Sequence, residues 1–178
     1  MKRTKVNFPK KAIEKKMLEL VVNEQTKRLI TYAEAEIKRI GNDISVAQTR
    51  NNLDRTGNML DSLCWGVCYE GIMKEHGYYR GDTAFENSNL HEYSNPKGPV
   101  VDGYFMAMQF IATYKQKYER GWEVFFAVLA PYWGYWEEGF TDKRSGVFFK
   151  WQVMTNHYDI VTNDLKPAKV TFHNYIPA

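Results

Sequence analysis

Cysteine is scarce: the 178 residues hold two, Cys64 and Cys68. Four apart in a segment that reads as a strand, they share a face but are badly placed to bridge each other. With no second pair, the count argues against a zinc site, so they read as small, reduced core residues. Long apolar runs are missing too. None approaches the roughly 20 residues of a membrane span, so no membrane partner is expected. The N-terminus is basic but has no apolar stretch leading to a cleavage site, which argues against a secretory signal. A cytoplasmic site of synthesis fits. Enzyme motifs are absent: no Gly-rich phosphate loop, no His-Glu-x-x-His, no Gly-x-Ser-x-Gly, and no cysteine with a plausible base. His76 and His91, with Glu75, Asp82, Glu86 and Glu92 nearby, lack ligand spacing. No catalytic residue, metal or cofactor is therefore expected.

What the chain does have is aromatic rings and an uneven charge. Aromatics make up 15% of the residues, a high share of a side-chain type favoured in cores and interfaces. Residues 1–40 hold eleven Lys or Arg against five acids, a net +6, which leaves −3 on the remainder of a chain whose total is +3. The first sixteen residues carry seven basic groups against Glu14 alone. Such a region can be an electrostatic footprint for nucleic acid or, more simply, a solubilising tail and a solvated helix face.

Length and composition predict one domain over 1–178 with a real core. Residues 1–8 read as a basic arm, and Pro9 suits the first turn of a helix. From Lys10 to Ile40 neither Gly nor Pro intervenes. Leu18, Val22, Leu29, Ala33, Ile37 and Ile40 draw an apolar stripe, widened at its start by Ile13, Met17, Leu20 and Val21. Gly41 reads as the stop. A helix over 10–40 would be roughly 46 Å long, enough to span the body or to touch a neighbour. From Leu63 the chain alternates between bulky Leu63, Trp65, Val67 and Tyr69 and small Ser62, Cys64, Gly66 and Cys68. The small face would let the long helix approach closely. Residues 74–101 are polar and turn-rich and read as a loop insertion. Asp102 caps a helix predicted over 103–118. The strand Trp122–Ala130 is apolar on both faces, so two layers or a neighbouring subunit must cover it. A helix from Phe148 to Val161 and a strand over 168–176 complete an α+β fold: a small antiparallel sheet packed with the long N-terminal helix and two further helices.

The chain turns on Ala130-Pro131-Tyr132-Trp133-Gly134-Tyr135-Trp136-Glu137-Glu138-Gly139-Phe140, which ends the strand. Glu137 and Glu138 are the best acid–base candidates. As neighbours they point apart and make a poor cooperating pair, although His157 could join one of them. The aromatic cluster reads first as core or subunit interface, and otherwise as a platform for stacking sugars or bases.

Two motifs together resemble the tail-completion, or head–tail joining (neck), proteins of long-tailed bacteriophages. That family has a long N-terminal helix and then a Thr-Gly-x-Leu-x-x-Ser-Ile/Leu element opening a strand. Here the element reads Thr56-Gly57-Asn58-Met59-Leu60-Asp61-Ser62-Leu63. A later family strand ends in Tyr-Ala-x-Tyr-x-Glu-Phe-Gly-Thr before a proline-and-phenylalanine element that begins a helix. The corner from Ala130 to Thr141 is similar, keeping Glu137-Glu138-Gly139, and Phe148-Phe149-Lys150-Trp151 follows. The resemblance covers 10–40, 56–72 and 122–165.

It implies a non-enzymatic virion component, made in the host bacterial cytoplasm and located in the neck or tail. Copies would form a homo-oligomeric ring between the head connector or adaptor and the tail-tube proteins, with DNA in the lumen as a further partner. Ring contacts run head to tail. The subunit interface expected on this basis comprises Tyr132, Trp133, Tyr135, Trp136, Glu137 and Glu138 on one copy and Lys10, Lys11 and Lys15 on the next. Two alternatives stay open. One is a nucleic-acid-binding module using the basic arm and the aromatic corner. The other is a small carbohydrate-binding protein or enzyme using Trp133, Trp136 and Glu137.

Overall fold

The computed structural model describes residues 9–51, 58–80, 102–130, 133–141 and 146–174. Helix α1 runs Lys10–Asn51, followed by the single turn α2, Asn58–Asp61. Strands β1 (Leu63–Tyr69) and β2 (Ile72–Tyr78) form a hairpin, and α3 (Gly103–Thr113) leads to β3 (Trp122–Val128). The short helix α4 (Trp133–Glu138) precedes a two-residue ribbon, β4 (Phe140–Thr141) with β5 (Phe148–Phe149). Helix α5 (Val153–Asp164) and strand β6 (Lys169–Asn174) close the chain.

The fold is α+β, as expected, but the sheet is mixed. Its order is β2-β1-β3-β6. The β1–β2 and β1–β3 pairs are antiparallel, while β3 and β6 are parallel. Parallel neighbours need a crossover, and α5 supplies it.

The long helix lies on the bulky face of the sheet, where the alternation had suggested the small one. Leu29, Ala33, Ile37, Ile40 and Ile44 pack with Leu63, Trp65, Val67, Val124, Phe126 and Val128 in the main core. The small face is taken by α3 instead, through Ala107 with Cys64, Ala127 and Leu129. The size difference has a reason: a Cβ on Gly66 would come within 2.5 Å of the Phe125 ring on that face. Strand β3 thus sits between two layers of its own chain and needs no neighbouring subunit to cover it.

Gly41 does not end α1, which continues ten residues further to Asn51. The glycine serves close approach: any Cβ there would collide with the Tyr79 ring, whose hydroxyl donates to Asn42 Oδ1 at 3.0 Å. At 42 residues the helix is about 63 Å long. The region read as a loop from residue 74 begins with β2, an exposed edge strand with too little apolar alternation to signal itself. Its turn is marked by Glu70 and Gly71, at φ 50° and 79°, a two-residue connection with both residues left-handed. The rest of that insertion, 81–101, lies outside the described residues, as does the arm at 1–8.

Asp102 caps α3 as its position predicted, accepting from Tyr104 N at 2.8 Å and Phe105 N at 3.3 Å. The helix stops at Thr113 rather than 118 because Tyr114 turns extended and stacks on Phe125 at 3.9 Å between centroids. The helical pattern beginning at Phe148 resolves into β5 first and α5 from Val153. No helix among the described residues is long and apolar enough to cross a membrane.

Candidate functional site: the corner, its buried acids and the projecting helix

Ser62 ties the two motif-bearing elements together. Its Oγ accepts from Leu129 N at 3.2 Å and Ala130 N at 3.0 Å, and donates to the Met59 carbonyl at 2.8 Å. All of this is buried. The start of β1 is thereby bolted to the end of β3, where the aromatic corner begins. Beside it, buried Asp61 accepts from Arg80 Nη1 at 3.0 Å.

The corner is a short helix whose first ring points inward. Trp133 is fully buried and belongs to the main core, with Trp151 edge-on at 6.4 Å between centroids. Glu137 is buried too. Its Oε1 accepts from Thr155 N and Thr155 Oγ1, both at 2.6 Å, and its Oε2 from Met154 N at 3.3 Å. These are the orphan amides of the α5 N-terminus, where a carboxylate also complements the helix dipole. Gln152, at the cap position itself, makes no side-chain cap bond, so the corner supplies the cap from outside the helix.

Of the expected interface residues, Trp133 and Glu137 therefore face inward, because the core and the α5 terminus claim them. Glu138, Lys10, Lys11 and Lys15 are exposed. Tyr132 and the side chains of Tyr135 and Trp136 lie outside the described residues. A surface on which Trp133 and Glu137 together stack a sugar is not formed. The two neighbouring acids should behave differently on substitution. Glu137→Ala is expected to destabilise the fold by about 1 kcal/mol through loss of the cap. Glu138→Ala should stay within roughly 0.5 kcal/mol of the parent. Chemical denaturation of both variants checks this, and equal effects would refute the assignment.

Two further buried acids were not legible in the sequence. Glu36 on α1 accepts from His157 on α5 at 2.6 Å and from Arg39 Nη1 at 3.1 Å. The other ring nitrogen of His157 reaches Asp43 Oδ2 at 3.0 Å. Burial alone would lower the His157 pKa, but the two carboxylate hydrogen bonds outweigh it and hold it above its ordinary 6.5. His157 thus joins Glu36 and Asp43 rather than the corner acids.

Glu123, fully buried in β3, accepts from Tyr114 Oη at 2.9 Å, Thr171 Oγ1 at 2.8 Å and Lys117 N at 2.8 Å. The Tyr114 hydroxyl also lies 3.3 Å from His173 Nε2. Burial lowers the His173 pKa and keeps the ring neutral near pH 7, although the Glu123 charge works the other way. Burial pushes the Cys68 thiol up to about 12 and Cys64 still higher. Both cysteines are free and poor nucleophiles.

An open groove of about 410 Å³ runs along β6 between Lys117–Tyr118 and α5. The carboxylate that reaches it, Glu137, already has its oxygens engaged by α5; Tyr118, Tyr158 and Phe172 share the rest of the lining with polar Lys117, Thr171 and His173. Among the described residues, no group of three His, Cys, Asp or Glu is placed to hold a metal.

The most unusual surface is the first part of α1. Every residue from Lys10 to Val21 is exposed, and the first buried one is Leu29. Met17, Leu18, Leu20 and Val21 are each about 60% exposed, although they are among the most apolar residues of the helix. The helix therefore projects from the body carrying an uncovered apolar surface flanked by Lys10, Lys11, Lys15 and Lys16. Exposed apolar surface gathered in one place marks contact with something else. In comparisons with known proteins, no family model matches the chain, and neither a curated protein nor a solved structure matches it.

Proposed function

We propose that the chain is a non-enzymatic structural protein of a tailed-phage virion, one subunit of a ring that joins the head connector to the tail. The observation that carries the reading is the projecting start of α1. Twelve consecutive exposed residues, with Met17, Leu18, Leu20 and Val21 among them, suit a protein built for neighbours. A second observation supports it. Ser62, in the described part of the Thr-Gly element (Thr56 and Gly57 lie outside the described residues), holds Leu129 and Ala130, where β3 leads into the Glu-Gly corner. The inward turn of Glu137 changes one detail. Among the described corner acids, only Glu138 remains exposed to receive a basic residue from the next copy.

Light scattering of the purified chain, alone and mixed with connector and tail-tube proteins, across concentration and salt, tests the reading. A mass well above two copies, or a concentration-dependent climb beyond two, is expected. A chain that never exceeds two copies under any of these conditions, partners included, overturns it.

A further inference from the structure

Helix α1 carries two apolar stripes, and they face different ways. Leu29, Ala33, Ile37, Ile40 and Ile44 dock on the sheet. At 3.6 residues per turn, Ile13, Met17 and Leu20 lie roughly 150° around the axis from that stripe. They point away from the body and cannot be covered by extending the same packing.

The sequence of this second stripe identifies what covers it. Lys10, Ile13, Met17, Leu20 and Glu24 follow at spacings of three, four, three and four, the repeat of a coiled-coil seam. The seam has a cation at one end, three apolar residues in the middle and an anion at the other end. Laid against itself in parallel, it would set Lys10 on Lys10 and Glu24 on Glu24. Laid antiparallel, it sets Lys10 on the second copy's Glu24 and Ile13 on the second copy's Leu20, with Met17 meeting its own mate at the two-fold axis. A shallow hollow of about 310 Å³ bounded by Leu20, Val21, Glu24, Gln25 and Arg28 adjoins the Leu20–Glu24 end of this seam. Among the described residues of one copy, Lys10 pairs with Glu14 at 3.9 Å and Glu24 with Lys27 at 3.5 Å. All four side chains are largely exposed, and such pairs yield readily.

We infer that two copies of the free chain pair antiparallel along the first part of α1. The contact is isologous and closes at two. It differs in symmetry from the head-to-tail contacts of a ring but occupies the same start of α1, Lys10 included, so it is a state of the unassembled chain; it does not depend on the ring reading.

Cysteine crosslinking of the full chain tests the geometry, since Cys64 and Cys68 are buried and a disulfide needs Cβ atoms roughly 3.5–4.5 Å apart. Met17→Cys is expected to crosslink to itself. Ile13→Cys and Leu20→Cys should each crosslink poorly alone and efficiently when mixed. Self-crosslinking of all three variants to equal extents would indicate a parallel pair and overturn the inference, as would no crosslinking by any of them. Charge exchange provides an independent readout. Lys10→Glu and Glu24→Lys should each weaken dimerisation roughly tenfold, and the two changes together should restore it. A double variant no tighter than either single variant overturns the register.

Discussion

Replacing His157 by alanine should lower stability by about 3–5 kcal/mol, because it leaves Glu36 buried without its principal partner. For a chain of this length that is a fall of roughly 6–20 °C in the thermal midpoint. The residue bridges α1 and α5 through Glu36 at 2.6 Å and Asp43 at 3.0 Å. Both bonds require a ring that donates from each nitrogen, which only the imidazolium does. The raised pKa fixes the pH dependence. A group held above its unfolded value contributes fully below that value, here 6.5, and loses its contribution as pH rises through the folded value. The gap in midpoint between parent and His157→Ala should therefore be widest just below pH 6.5 and shrink toward alkaline pH. A gap that is constant, or that widens with pH, would show that His157 is held neutral.

Glu123→Ala should be of similar size, on the order of 3–5 kcal/mol, since it strands three donors in the interior. Tyr114, Thr171 and the Lys117 amide all point at its carboxylate. They come from the end of α3, from β6 and from the loop between α3 and β3. The loss should loosen that whole side of the sheet while leaving α1 docked. Hydrogen exchange resolves the two sides: faster exchange is expected in β6 and residues 103–117, with little change in α1. A substitution tolerated within about 1 kcal/mol would mean that water replaces the carboxylate and that the network is not structural.

These two acids mark the limit of what the sequence revealed. The long helix, the Asp102 cap, β1, β3 and the closing helix and strand were legible, because apolar periodicity and capping chemistry are local signals. The use of Gly41 was not. As a stop signal and as a close-approach site it looks the same until Tyr79 is known to cross there. Strand β2 escaped because an edge strand that packs little surface carries little alternation. Glu36 and Glu123 escaped because a near partner such as Arg39 or Lys117 is no signal of burial, and the partners that enclose them, His157 and Thr171, lie 121 and 48 residues away. At the corner, the residue types were readable but their direction was not. A strand end rich in Trp and Glu is equally suited to meeting a neighbour or to folding inward, and tertiary geometry decided for Trp133 and Glu137. The two-sided character of α1 was present in its spacing, but both stripes were read as one until the body showed which face it used.

The remote cap on α5 has a consequence for the order of folding. A helix of twelve residues is marginal by itself, and this one lacks a cap bond of its own. Its first amides wait for a carboxylate seventeen residues upstream, which is in place only once α4 has turned Glu137 inward. Helix α5 and the corner thus belong to one cooperative unit that forms and opens together. Because α5 also carries the chain across to the parallel pairing of β6 with β3, Glu137→Ala is expected to speed hydrogen exchange in β6 as well as in α5; an effect confined to α5 would refute the coupling.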